Sequence, residues 1–265
     1  VYDGRYDRSV GVDGGRTLTW EGHCGLIAGC VPTIDNHHAV VAQLGDRYVM
    51  LRLRPIDETA QARRALSTNG HEDEMRHALE VAVCGLLDHM EEVDLPELDG
   101  DDIERLARLA TLTVRCRSVV DRDPRTSEIV NVSPAEMPAR LAKQLGRLLC
   151  GVRAIGAANP WRIVTRCALD SMPANRQAAL AHLAGETSAA PTSSVGTALG
   201  LPTTTVRRTL EDLEAHRVVD RISHGPGKAD LWALTEWCRD LWPTSPEMSE
   251  EVGAPVPPTP STEGS

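Results

Sequence analysis

At 265 residues, 41% of them hydrophobic and 25% charged, the chain has the balance of a soluble globular protein and is long enough for at least two domains that each bury a core. Its net charge of -10 argues against nonspecific polyanion binding by the whole molecule, so affinity for nucleic acid has to reside in a local patch. With no apolar run long enough for a membrane span, the expectation is a cytoplasmic protein with no membrane partner.

Val1 to Arg8 reads like the interior of a domain, as expected either of a fragment or of a chain with an unusual start. Thr17 to Trp20, Gly25 to Cys30 and Arg47 to Leu53 have the patterning of short strands, with a short helix over Asp35 to Leu44 between the last two. From Glu58 to about Gly156 the periodicity is helical. Ala78, Val81, Ala82, Gly85 and Leu86 share one stripe, and Ile103, Leu106, Leu109 and Ala110 share another, with Pro96 to Gly100 separating the two helices. Arg122 to Pro138, holding three prolines, reads as a break. Ser133 and Glu136 have capping-box spacing, and Pro138 opens a helix with Leu141, Leu145, Leu148 and Leu149 on one face.

Pro173 can start a helix that carries Ala179, Leu180 and Leu183 inward. Thr192 is a good N-cap for a short helix over Ser193 to Leu199 that buries Val195, Ala198 and Leu199. Gly200 makes the turn and Leu201 fills the corner. Pro202 and Thr203 begin the next helix, which packs through Val206, Leu210 and Leu213 at i, i+4 and i+7. Thr203, Thr204, Thr205, Arg207 and Arg208 are left on its outer side or first turn. Val218 to Ser223 and Ala229 to Leu234 follow as two strands joined by a Gly-Pro-Gly-Lys tip. Beyond Trp237 the Pro, Ser, Thr and Glu composition predicts disorder.

The stretch TSSVGTALGLPTTTVRRTLEDLEAHRVVDRISHGPGKADLWALT, from Thr192 to Thr235, resembles the winged helix-turn-helix domains of bacterial transcription regulators. That resemblance implies double-stranded DNA as partner, with Thr203, Thr204, Thr205, Arg207 and Arg208 in the major groove and Arg221 and Lys228 on the wing. Arg217 departs from it, standing at the helix end where such domains usually carry Gly, at a cost of roughly 1 kcal/mol in the left-handed conformation. Glu211, Asp212 and Glu214 would repel phosphate if they faced the groove, which keeps a protein-contact role open.

Gly25 to Thr33, followed by Leu44-Gly45-Asp46-Arg47-Tyr48-Val49, resembles the second half of an AAA+ ATPase core. The resemblance implies that Thr33 is a sensor residue, that Arg47 is an arginine finger reaching the nucleotide of a neighbouring subunit in a homo-oligomer, that the helices after it are the lid, and that Arg140 is a second sensor. The chain has two lysines, Lys143 and Lys228, and neither lies in a phosphate-cradling G-x-x-x-x-G-K-[ST] loop. No cofactor is therefore expected in this chain, with ATP and magnesium belonging to a longer parent protein.

Seven widely spaced cysteines form no CxxC or Cys/His cluster, so no metal site or disulfide framework is expected, only reduced, buried thiols. His37 and His38 beside Asp35 read as a polar helix face. Asp121, Arg122 and Asp123, with Arg115, Arg117 and Arg125, read as a surface ion-pair network. The expected fold is mainly α with small β elements. It comprises a partial, AAA+-like α/β segment (1–57), a lid-like helical domain (58–158), a winged helix (159–242) with its boundary near Asn159 to Pro173, and a disordered tail (243–265). Three functions remain open, the first two being the C-terminal part of an ATP-dependent regulator or DNA-processing protein, and a complete non-enzymatic regulator with a helical dimerisation or effector domain. A protein-interaction adaptor is the third.

Overall fold

The computed structural model describes residues 4–11, 15–22, 25–37, 48–53, 57–90, 93–223, 225 and 228–243. The protein is mainly helical with small sheets, and contacts divide it into two compact units, Val1–His37 and His38–Ser265.

In the first unit, strands β1 (Arg5–Val10) and β2 (Arg16–Glu21) pair antiparallel, with Tyr6 opposite Trp20 and Asp7 opposite Thr19. All their side chains are exposed. Asp7 accepts hydrogen bonds from Thr19 Oγ1 at 2.6 Å and Arg5 Nε at 3.0 Å, which hold its carboxyl below the usual range. The strand expected over Gly25–Cys30 does not form, these residues having no regular secondary structure, and Ile27 is fully exposed. A 3-10 turn over Pro32–His37 occupies the start of the expected helix, whose remainder lies outside the described residues.

The second unit opens with residues 48–53. These were expected as a strand but form none, because their amides are taken by a helix end instead of a strand neighbour. Met50 N–H donates to Ser171 Oγ and Arg52 N–H to Asp170 Oδ2, while the Arg52 guanidinium donates to the Asp170 and Met172 carbonyls. Helices α1 (Glu58–Ser67) and α2 (Glu72–Met90) follow. The stripe expected to be buried on α2 is exposed, with Val81 at 58% and Leu86 at 44%, since the described side chains of this helix meet no packing partner that covers them.

Helix α3 (Gly100–Arg117) starts at a capping box in which the Asp99 side chain accepts from Asp102 N–H and the Asp102 side chain accepts from Asp99 N–H. A short hairpin, β3 (Val120–Arg122) and β4 (Ile129–Val132), intervenes where a simple break was expected. Helix α4 (Ala139–Ala154) begins after Pro138 with no side-chain cap; Ser133 and Glu136 form no capping box there, and Glu136 pairs with Arg117 instead. Helix α5 (Pro160–Asp170) starts from Asn159, whose side chain accepts from Arg162 N–H. Helices α3, α4 and α5 bury Leu106, Leu109, Leu141, Leu145, Leu149 and Val164 in one core, and Arg153 closes its edge on Asp102 at 2.5 Å and 2.7 Å. Ile103, expected on the same stripe, is 58% exposed.

Next come α6 (Ala174–Gly185), β5 (Ala190–Pro191), α7 (Thr192–Leu199), α8 (Thr203–Ala215), β6 (Val219–Ile222), β7 (Leu231–Leu234) and α9 (Glu236–Leu241). The three strands form one antiparallel sheet in the order β5-β7-β6. Its core holds Ala179, Leu180, Leu183, Val195, Val206, Leu210, Leu213 and Trp232, but also Leu112 and Cys116 from α3. Helix α3 thus feeds both cores, and the boundary expected near Asn159 to Pro173 falls inside one compact unit. Ordered structure also continues past Trp237, since Cys238 is buried and Trp242 packs against the core. Cys116, Cys167 and Cys238 are buried, whereas Cys30 and Cys84 are exposed, contrary to the expectation of uniformly buried thiols.

Candidate nucleic-acid interface

Helix α8 is positioned by two turns of the same kind. At the end of α7, Gly200 adopts φ 64; its N–H reaches Thr197 O, and Leu201 N–H reaches Gly196 O at 3.0 Å. This paired pattern is the Schellman motif, and it places Leu201 against the core. A Cβ on Gly196 would sit 3.2 Å from Leu201 O, a tight contact that the backbone would have to relieve by a few tenths of an ångström. At the end of α8, Arg217 N–H bonds Glu214 O at 2.7 Å and Val218 N–H bonds Leu213 O at 2.9 Å, with Arg217 at φ 57. The non-glycine residue singled out in the sequence does adopt the left-handed conformation.

Thr192 does not cap α7 as expected. The helix begins at Thr192 itself, and its hydroxyl accepts the indole N–H of the fully buried Trp232 at 2.8 Å, satisfying the one polar atom of that side chain. On the same helix Ala198 is exposed, and Gly196 is buried in its place.

On α8, Val206, Leu210 and Leu213 point inward as the spacing requires. Thr203, Thr204, Arg207 and Arg208 are exposed, and Thr205 is half-buried with its carbonyl accepting from Thr209 Oγ1. Arg207 leans toward Asp230 at 3.8 Å with its side chain 49% exposed. Arg221, expected at DNA, is held more firmly: its guanidinium bonds Asp230 at 2.7 Å and lies over the Trp232 ring. The Arg221 hydrogen bond in turn keeps the Asp230 carboxyl below its usual range. Lys228 is exposed on the connection between β6 and β7.

Two of the three acidic residues of α8, Glu211 and Asp212, are engaged elsewhere. Arg122 of β3 donates to Asp212 Oδ1 at 2.8 Å and 3.0 Å and to Glu211 Oε2 at 3.2 Å, and Arg176 of α6 donates to Asp212 Oδ2 at 3.0 Å. Burial pushes the Glu214 carboxyl up, partly offset by Arg221. Three of the arginines expected to form a surface network are internal ties instead, while Arg125 is exposed. Arg122 is only 17% exposed, Arg117 is buried against Glu136, and Arg115 stacks over Trp237 at 3.9 Å. The signal for the β3–β4 hairpin was present in Val119-Val120 and Ile129-Val130-Asn131-Val132, two β-branched runs around an Asp-Pro turn. The Arg122 tie has no such signal, because it joins residues about ninety positions apart.

Thr33 is exposed on the 3-10 turn of the first unit instead of ending a strand, Arg140 is half-buried at the start of α4 in the second unit, and Arg47 lies outside the described residues. Comparison with known proteins finds no matching family model, no matching curated protein and no matching solved structure.

Proposed function

We propose that residues 174–234 form a winged helix-turn-helix and that the protein is a regulator binding double-stranded DNA through the N-terminal half of α8. The sequence of helix, short strand, two helices joined by a tight turn, and strand pair supports this reading. One observation carries it: Glu211 and Asp212 are neutralised by Arg122 and Arg176, so the outward surface of α8 is left to Thr203, Thr204, Arg207 and Arg208. A threonine methyl or hydroxyl suits thymine and phosphate, and an arginine fork suits guanine. The acidic character of the whole chain opposes none of this, since screening confines charge effects to about 10 Å at 0.1 M salt. The resemblance of residues 25–49 to an ATPase core contributes nothing to the reading.

The test is fluorescence anisotropy with a labelled duplex of random sequence across a salt series. Arg207→Ala with Arg208→Ala is expected to weaken binding and to reduce the salt slope by about 2, one unit per lost phosphate contact. Binding and slope that stay at the wild-type values, or a wild-type chain that fails to bind duplex at low salt, would refute the assignment.

A further inference from the structure

Arg207 and Arg208 are adjacent on α8 and so project about 100° apart. Each has a β-hairpin on its own side: Arg207 approaches Asp230 beside the β6–β7 connection, and Arg208 donates to Ser127 Oγ in the β3–β4 turn at 2.8 Å. Helix α8 therefore lies between two hairpins. We infer that the β3–β4 hairpin is a second wing, and that Arg125 at its tip contacts the DNA backbone on the side of the groove away from the β6–β7 wing. The inference rests on the DNA-binding reading of α8.

The hairpin is firmly placed. Arg122 ties its strand to Asp212, Glu211 and the Arg208 carbonyl on α8, and also donates to Ser127 O at 2.7 Å across the base of the turn. Ser127, at φ 62, closes the turn with its N–H on Asp123 O at 2.8 Å, while Asp123 N–H bonds Glu128 O. The Asp123 carboxylate is consumed within the turn. It accepts the N–H groups of Arg125 and Thr126, both at 2.8 Å, and these bonds hold its carboxyl below the usual range. Arg125 and Thr126 are left exposed at the tip, with Thr126 Oγ1 3.5 Å from Glu128 Oε2.

An α-helix with its side chains is about as wide as the major groove, roughly 10–12 Å, so elements on its two flanks meet the two phosphate backbones that border the groove. A cation on a rigid turn loses little freedom on contact. Arg125 is the group placed to make that contact on the β3–β4 side, and Arg122 acts as its positioning residue.

The experiment uses the full chain and the random-sequence duplex. Arg125→Ala is expected to lower the salt slope by about 0.9, which is close to an eightfold loss of affinity at 0.1 M salt, with an unchanged melting temperature. Arg125→Lys should restore most of the slope. If Arg125→Ala leaves the slope intact while Arg207→Ala with Arg208→Ala reduces it, the second wing is overturned and the α8 interface stands. If none of these variants, including the α8 pair, changes the slope, both readings fall.

Discussion

Replacing Arg122 with Ala tests whether the α8 carboxylates are truly engaged, on which the proposed interface depends. The guanidinium makes contacts to Asp212, Glu211, Ser127 O and Arg208 O while only 17% exposed, and the two carboxylates are 22% and 20% exposed. Its loss leaves partly buried acceptors short of a donor, at a cost of roughly 1–3 kcal/mol. Asp212→Ala should cost more, about 3 kcal/mol, because it strands two cations, of which Arg176 is 9% exposed. Arg176 keeps its bonds to the Cys116 and Ser118 carbonyls, which limits the damage. Urea unfolding of the two single variants and the double variant gives the coupling energy, expected at about 1–2 kcal/mol. A coupling below about 0.3 kcal/mol would refute the reasoning, since it would make the tie an ordinary surface pair and leave the acids facing outward.

Arg217→Gly should stabilise the protein by a few tenths of a kcal/mol up to about 1, because relief of 1–2 kcal/mol of left-handed strain is set against 0.5–1 kcal/mol of extra chain entropy; a drop in melting temperature would contradict this. Stability should fall on acidification in two windows. His216 is held below its usual value of 6.5, first by burial and then by Arg176, so the unfolded chain takes up its proton first and stability declines as pH falls from about 6.5. Asp102, held below 3.8 chiefly by the Arg153 hydrogen bond, and Asp230, held down by Arg221, contribute stability that is present above 3.8 and lost as pH falls through their folded values. His216→Gln should flatten only the first window and Asp102→Asn only the second, measured as melting temperature against pH. Alkylation followed by mass spectrometry should label Cys30 and Cys84 first. Cys116 and Cys238 should react only on unfolding, since burial pushes the Cys238 thiol up to about 12. Rapid labelling of Cys238 in the native chain would show that α9 opens.

The local physics of the last third was legible in the residues. Val206, Leu210 and Leu213 at helical spacing, Gly200 at the end of α7 and the strand patterns around Gly225 to Lys228 all rest on neighbours within a few positions, and the expected left-handed turn at Arg217 was of the same kind. Periodicity alone was a poorer guide to burial. Val81 and Leu86 lie on an apolar stripe of α2 as Leu106 and Leu109 do on α3, and only the latter are covered, because a helix face is buried by what packs on it and not by its own composition.

What the sequence by itself determined is where most of the helices and the two turns flanking α8 form, and which arginines and threonines α8 carries, because backbone preference and side-chain period act over one or two turns of chain. Tertiary structure alone decided what those charges face. Arg122 and Arg176 reach Asp212 across 90 and 36 positions, Arg207 and Arg208 diverge to two different hairpins, and α3 serves two cores at once. Electrostatic pairing depends on distance in space, and no pattern within a single element encodes it.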